Sequence, residues 1–141
     1  MRRLVLFLSL VISLAACAKR PATISNPYEP QPGDWRLVHS DVSIEWNELT
    51  FTQDIDPQQA KLHLEGNLSD PCHELRALIY EADENNVINV EFYAVSVPSQ
   101  GCVQALEPYT VDLLLGNYPG WQIYTVHLNG EYAGEFEFTP P

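Results

Sequence analysis

Basic side chains are scarce in this 141-residue sequence, with 7 Lys and Arg against 19 Asp and Glu and a net charge of −12 at neutral pH. Binding to phosphate backbones depends on neutralising them with Lys and Arg, so a surface of this kind excludes nucleic acid as a partner. The same shortage argues against adhesion to anionic lipid through a polybasic patch. Cysteine is sparse as well: Cys17, Cys72 and Cys102 are the only three, and none stands in a Cys-x-x-Cys knuckle. The histidines His39, His63, His73 and His127 lack the tight spacing of a zinc-binding helix. The Gly-x-Ser-x-Gly elbow of many hydrolases is absent. No apolar run reaches the roughly 20 residues that a membrane-crossing helix requires. Taken together, these absences leave no catalytic residue, metal ligand or cofactor to assign, and the expectation is a protein that is not an enzyme.

What is present begins with an address label. Arg2 and Arg3 precede an uncharged, mostly apolar stretch, Leu4 to Ala16, that ends in small residues. A positive start, a short apolar body and small residues before a cut are the marks of a signal sequence. The tetrad Leu14-Ala15-Ala16-Cys17 resembles the bacterial lipobox, in which the cysteine receives a diacylglycerol and becomes the new N-terminus. By that resemblance Cys17 is the lipidation site, residues 1–16 are a lipoprotein signal peptide, and the partner is a membrane held through lipid on Cys17. Two or three acyl chains give lasting attachment, at about 0.8 kcal/mol per buried CH₂. A conventional secretory signal cut near the same place, leaving Cys17 as a thiol, is the alternative. Removing Arg2 and Arg3 leaves 5 basic residues against 19 acidic, or −14.

With Cys17 lipidated, Cys72 and Cys102 remain as an even pair in a chain sent to oxidising surroundings, and a disulfide between them is expected. Closing a loop of about 31 residues contributes about 3 to 4 kcal/mol by the loop-entropy argument. Two free core cysteines are the other reading.

Residues 17–34 carry Pro21, Pro27, Pro30 and Pro32 with almost no aliphatic pattern, and read as a lipidated N-terminus with an extended, proline-rich tether. Residues 35–141 form the folded domain. Apolar residues there recur at every second position, the mark of strands with one buried face. Expected strands are Val42 to Trp46, Ala60 to Gly66, Leu75 to Tyr80, Val87 to Val95, Tyr109 to Leu115, Gln122 to Leu128 and Tyr132 to Phe138. Asn129-Gly130 between two alternating runs predicts a type I′ hairpin turn, because both central residues of that turn need φ > 0. Asp83-Glu84-Asn85-Asn86 predicts a second hairpin loop, and Asp56-Pro57 and Tyr118-Pro119-Gly120 further breaks. The stretch from Tyr118 to Leu128 looks like the corner leading into the penultimate strand of immunoglobulin-like sandwiches, with Tyr124 as the corner tyrosine whose hydroxyl returns to nearby backbone. The fold class is therefore all-β: an immunoglobulin-like or fibronectin-like antiparallel β-sandwich of about seven strands.

The segment from Gly66 through Asp70-Pro71-Cys72-His73-Glu74 to Arg76, then Cys102, Gly116-Asn117-Tyr118 and the Tyr124 to Gly130 run, resembles small uncharacterised bacterial envelope lipoproteins with an immunoglobulin-like domain. The resemblance spans about Leu62 to Phe138. It implies a fold and a location on the extracytoplasmic side of the bacterial cell envelope, and supplies no catalytic residues.

Candidate chemistry is thin. Cys72-His73 suggests an activated thiol, but neighbours on a strand face opposite ways and a bridged cysteine cannot attack. His63 and Glu65 share one strand face at i and i+2, most simply as polar partners on a half-solvated sheet. Asp54-Ile55-Asp56 and the Asp83 loop are the only oxygen-rich segments, and neither has the calcium-loop pattern. Ser69 closes an Asn-x-Ser triplet that reads as a turn. Trp35, Trp46, Trp121, Tyr109, Tyr118, Tyr124 and Tyr132 are expected mainly in the core, although rings lined along one exposed face would suit a sugar or a protein. The resulting expectation is a non-catalytic binding or scaffolding module with an envelope protein or glycan partner. The alternatives are a protease inhibitor acting through loops at one sandwich end, such as Pro98 to Gly101, or a carbohydrate-binding module.

Overall fold

The computed structural model of the chain describes residues 26–55, 58–98, 101–116, 118 and 120–138. The signal peptide, Cys17 and the first part of the tether lie outside the described residues. Among the described residues nine strands occur: β1 (Val38–Ser40), β2 (Ser43–Ile44), β3 (Thr50–Ile55), β4 (Gln58–Leu68), β5 (Glu74–Ile79), β6 (Val87–Ser96), β7 (Glu107–Gly116), β8 (Gln122–Leu128) and β9 (Glu131–Phe138). No α-helix is present among the described residues.

Two sheets face each other as a β-sandwich. Alternation decides which side of each strand is hidden, since successive side chains on a strand point opposite ways. Ala60, Leu62 and Leu64 of β4 and Val111 and Leu113 of β7 form one inner face. Ile88, Val90 and Phe92 of β6, Val126 and Leu128 of β8, and Phe136 and Phe138 of β9 form the other, and these residues share one core. Each of the Val, Leu, Ile and Phe side chains contributes about 1.5–3 kcal/mol when fully removed from water.

In the first sheet β4 is central, with β7 antiparallel along one edge from Ala60 to Leu68. Its other edge is divided between β2, opposite Gly66 and Asn67, and β3, opposite Gln58 to His63. In the second sheet β6 is central. β5 covers one edge from Val90 to Val95. The other edge is divided between β8, opposite Val87 to Val90, and β1, opposite Ala94 to Ser96, while β9 pairs on the far side of β8.

Two differences from expectation follow from that arrangement. The strand number is nine rather than about seven, because one edge of each central strand is covered by two short pieces. The pairing is antiparallel throughout except between β6 and β8, which run parallel. The β5–β6 hairpin enters the sheet with its second strand inward, so β6 rather than β5 meets β8. The all-β sandwich is as expected; its strict antiparallel character is not.

The junction between β8 and β1 is closed by one side chain. Asn129 donates its backbone N–H to the Val90 carbonyl at 2.8 Å. Its side-chain oxygen accepts the Phe92 N–H at 2.7 Å, and its side-chain amide donates to the Phe92 carbonyl at 2.8 Å. The primary amide thus stands in for a residue of a neighbouring strand where neither β8 nor β1 reaches. Asn129 and Gly130 are also the two-residue loop of the β8–β9 hairpin, with φ of +52° and +84°.

Other differences lie near the N-terminal end. The strand expected to run from Val42 to Trp46 stops at Ile44, because after the Glu45 N–H has bonded to the Glu65 carbonyl at 2.8 Å the chain turns away through Trp46–Glu48. The segment expected to be free tether up to Asp34 is attached to the domain from Asn26 onward. Asn26-Pro27-Tyr28-Glu29 forms a turn whose Tyr28 carbonyl accepts the Ala77 N–H at 2.7 Å, extending the β5 edge. Asp34 is buried and accepts from Arg76 through Nε at 2.7 Å and Nη2 at 3.3 Å, while Arg76 also holds Glu74. The Arg76 guanidinium keeps the Asp34 carboxyl below the usual carboxylate range.

Replacing Asn129 separates its two roles. Asn129→Gly keeps the turn and removes the amide, and should lower unfolding free energy by about 1–3 kcal/mol through loss of the two bonds to Phe92. Asn129→Ala should cost about 1 kcal/mol more, because a Cβ-bearing residue without a local polar contact is strained at φ > 0. Urea unfolding of the two variants measures the difference.

Candidate functional site

The loop after β4 carries the densest chemistry. Cys72 and Cys102 are joined in a disulfide with their Cα atoms 6.1 Å apart. The bridge ties the β4–β5 turn to the segment before β7, outside the core. Asp70, only 7% exposed, folds back so that one oxygen accepts the Cys72 N–H at 3.0 Å and meets His73 Nδ1 at 2.8 Å. Ser69 Oγ lies 3.4 Å from the same His73 Nδ1. A serine, a histidine and an aspartate therefore come together, but a proton relay needs serine and carboxylate on opposite ring nitrogens. Here both fall on one. Asp70 with the two cysteine sulfurs is also the one group of three metal-ligating side chains among the described residues. Metal ligation by cysteine requires thiolate, and sulfurs bonded to each other are not that. The arrangement is a stapled turn.

On the outer face of the first sheet, His63 of β4 lies between two carboxylates. Its Nδ1 is 2.7 Å from Asp112 of β7 and its Nε2 is 3.3 Å from Glu65. Hydrogen bonds to Asp112 and Glu65 raise the His63 pKa above its ordinary value. The i, i+2 spacing foretold Glu65; Asp112 arrives through strand pairing. On the same central strand, Gly66 lets the Tyr109 side chain cross to the neighbouring edge, where its hydroxyl donates to the Ser43 carbonyl at 2.8 Å. A Cβ on Gly66 would collide with both the Ser43 carbonyl and the Tyr109 ring. Burial pushes the Tyr109 hydroxyl up to about 12.

The aromatic residues divide sharply. Tyr109 and Tyr124 are buried, and Tyr118 packs against the core. Tyr124, proposed from the sequence as the corner tyrosine, stacks on Phe136 and meets Tyr118 at a tilt, and its hydroxyl lies 3.3 Å from Gln122 Oε1. Tyr118 also donates its hydroxyl to upstream backbone, at the Leu115 carbonyl at 2.6 Å. The tryptophans are not in the core as expected: Trp35 is 74% exposed, Trp121 73% and Trp46 38%. Trp35 precedes β1 and Trp121 precedes β8. Because these strands run oppositely along β6, the two rings lie at opposite ends of the second sheet, and Trp46 flanks the first sheet. They form no row.

Two of the clefts on the described surface bear on the candidate chemistry. One, of about 620 Å³, opens on the side of the sandwich where the end of β5 faces the end of β7, with Tyr118, Ile79 and Leu115 in its lining. The other, of about 670 Å³, lies over the outer face of β6 at the β8–β1 junction. Its floor and walls include Asn89, Glu91, Tyr93, Tyr80, Asp41 and Asn129.

Residues 62–138, more than half of the chain, match the profile of a known family, described as the ORF11 beta-sandwich domain. The chain belongs to this family. No curated protein matches it. No solved structure matches it either. The ORF11 beta-sandwich domain match begins within β4 and ends with β9, so it holds the disulfide, the His63 clamp and the β8–β9 hairpin. The strands β1 to β3 and the docked N-terminal segment stand before it.

Two outcomes follow for this ORF11 beta-sandwich domain. His63 binds its proton more tightly folded than unfolded, so its contribution is complete below the unfolded value of about 6.5 and is lost as pH rises through the raised folded value. The melting temperature should therefore fall on raising the pH from about 6.5, and His63→Gln should flatten that part of the profile. Removing the bridge with Cys72→Ala and Cys102→Ala together should cost about 2–4 kcal/mol without changing the far-ultraviolet circular dichroism of the folded state.

Proposed function

We propose that this protein is a membrane-anchored lipoprotein of the bacterial cell envelope, whose β-sandwich is a non-catalytic binding or scaffolding module facing the extracytoplasmic side. The observation that carries the reading is the pairing of Cys72 with Cys102. It uses both cysteines of the domain in a bond favoured in oxidising compartments, and leaves Cys17, in the lipobox-like Leu14-Ala15-Ala16-Cys17, as the only other sulfhydryl. The non-catalytic half rests on the site geometry. Ser69 and Asp70 converge on a single ring nitrogen of His73, and the cysteine beside them is bonded.

The docked N-terminal segment brings the domain nearer to the bilayer than the proline content suggests. The first residue bonded to the domain edge, Tyr28, lies about 11 residues after Cys17, a span of at most about 40 Å even fully extended. Tyr28 sits on the β5 edge, so the link from Cys17 reaches the domain on that side. A protein partner suits the surface better than a glycan, since the exposed tryptophans form no row. The inhibitor alternative centres on Pro98 to Gly101, of which residues 99–100 lie outside the described residues.

The anchoring reading predicts that the full chain expressed in a bacterium sediments with membranes and leaves them only with detergent. Cys17→Ser should appear in the aqueous fraction instead, and intact mass of the wild type should show added acyl chains on Cys17. A wild-type protein recovered with an unmodified Cys17 thiol would overturn it.

A further inference from the structure

The cleft over β6 has a lining chemistry that selects one class of ligand. Asn89, Glu91 and Tyr93 stand at alternate positions on the most central strand of the second sheet, all on its outer face. Tyr80, opposite Asn89 beyond the end of β5, forms one wall and donates its hydroxyl to Glu91 Oε1 at 2.9 Å. That bond fixes the carboxylate while leaving its other oxygen available. Tyr93 is held by stacking on His39 of β1, with ring centroids 4.9 Å apart and planes at 16°. The opposite wall is the β8–β1 junction, where Asn129 is tied to Phe92 and Asp41 follows the end of β1. The cleft is lined by two carboxylates and two phenol rings, with no Lys or Arg among its lining residues. Arg76, the cation of the same sheet face, is occupied by Asp34 and Glu74.

Carboxylates next to aromatic faces attract organic cations both by charge and through the ring quadrupole. We propose that this cleft is a binding site for a guanidinium or alkylammonium group, presented by an arginine or lysine side chain of a partner protein. A volume of about 670 Å³ suits such a side chain with part of its backbone, well beyond the needs of a bare metal ion. The proposal rests on the reading of the domain as a binding module and is independent of the anchoring on Cys17.

Nuclear magnetic resonance of the isotope-labelled full chain in detergent tests it. N-acetylarginine methylamide should shift the amides of Asn89, Glu91 and Tyr93 saturably at about millimolar concentration, whereas N-acetylglutamine methylamide should not. Glu91→Gln combined with Asp41→Asn should weaken that binding about fivefold or more. Glu135→Gln, which removes an exposed charge on β9, should leave it unchanged. Spermidine separates a free polyamine from a protein side chain as the source. Tighter binding of the arginine derivative supports the proposal as stated, and tighter binding of spermidine overturns the protein partner. Shifts spread over the acidic surface and insensitive to Glu91→Gln would overturn the site itself. Because membrane attachment is measured separately through Cys17, failure of the cleft and failure of the anchor give different results.

Discussion

Three hydrogen bonds made by Asn129 close the gap between β8 and β1, which share one edge of β6 and do not reach each other. β6 needs a neighbour along its whole second edge, and β8 covers only the first part and β1 only the last. The gap falls at Phe92, whose side chain is among the largest in the core and whose backbone would otherwise lie buried without partners. An unsatisfied buried amide costs about 1–3 kcal/mol, so the gap has to be filled. Asn129 fills it because its side-chain amide copies a peptide group. Asparagine also tolerates φ > 0, so the same residue can turn the chain into β9. One residue thereby fixes the parallel β6–β8 register, the hairpin that follows and one wall of the cleft above.

The surface chemistry grows from that frame. Because β6 is central and flanked on both sides, its outward residues Asn89, Glu91 and Tyr93 are presented on backbone with little freedom to move. The interruption between β8 and β1 leaves a notch over them rather than a flat face. On the opposite sheet β4 plays the corresponding part: it places His63 and Glu65 outward and lets Asp112 reach His63 from β7. Sites on the two outer faces are consequences of where the central strands lie. The disulfide and the Asp34–Arg76 pair secure the periphery, tying a long turn and the N-terminal segment to the sandwich.

Much of this was legible in the sequence where the physics is local. Period-two alternation states directly which of Ala60, Leu62 and Leu64, or Ile88, Val90 and Phe92, faces inward. Asn129-Gly130 encodes its own turn, and a count of cysteines singles out Cys72 and Cys102. Edge strands were harder. Val38–Ser40 and Thr50–Ile55 carry polar residues on partly exposed backbone, and their pairing comes from β6 and β4 rather than from their own pattern. Contacts between distant positions were invisible for the same reason. Asp34 meets Arg76 across 42 residues and His63 meets Asp112 across 49, and no spacing rule reaches that far. The second role of Asn129 was hidden because its partner, Phe92, lies 37 residues away. The tryptophans misled because bulk alone suggests a core position, while Trp35, Trp46 and Trp121 all lie just outside strands.

The sandwich carries its chemistry on sheet faces that the central strands define, and the proposed lipid on Cys17 would display those faces near a bilayer. The account depends most on the closure at Phe92. Native-state hydrogen exchange of the Phe92 amide measures it directly. If the Asn129 side chain completes the sheet, this amide exchanges only through global unfolding, with protection equal to that of the Val126 and Leu128 amides in the neighbouring strand. Exchange of Phe92 much faster than those amides would show that the edge is open there and would contradict the account.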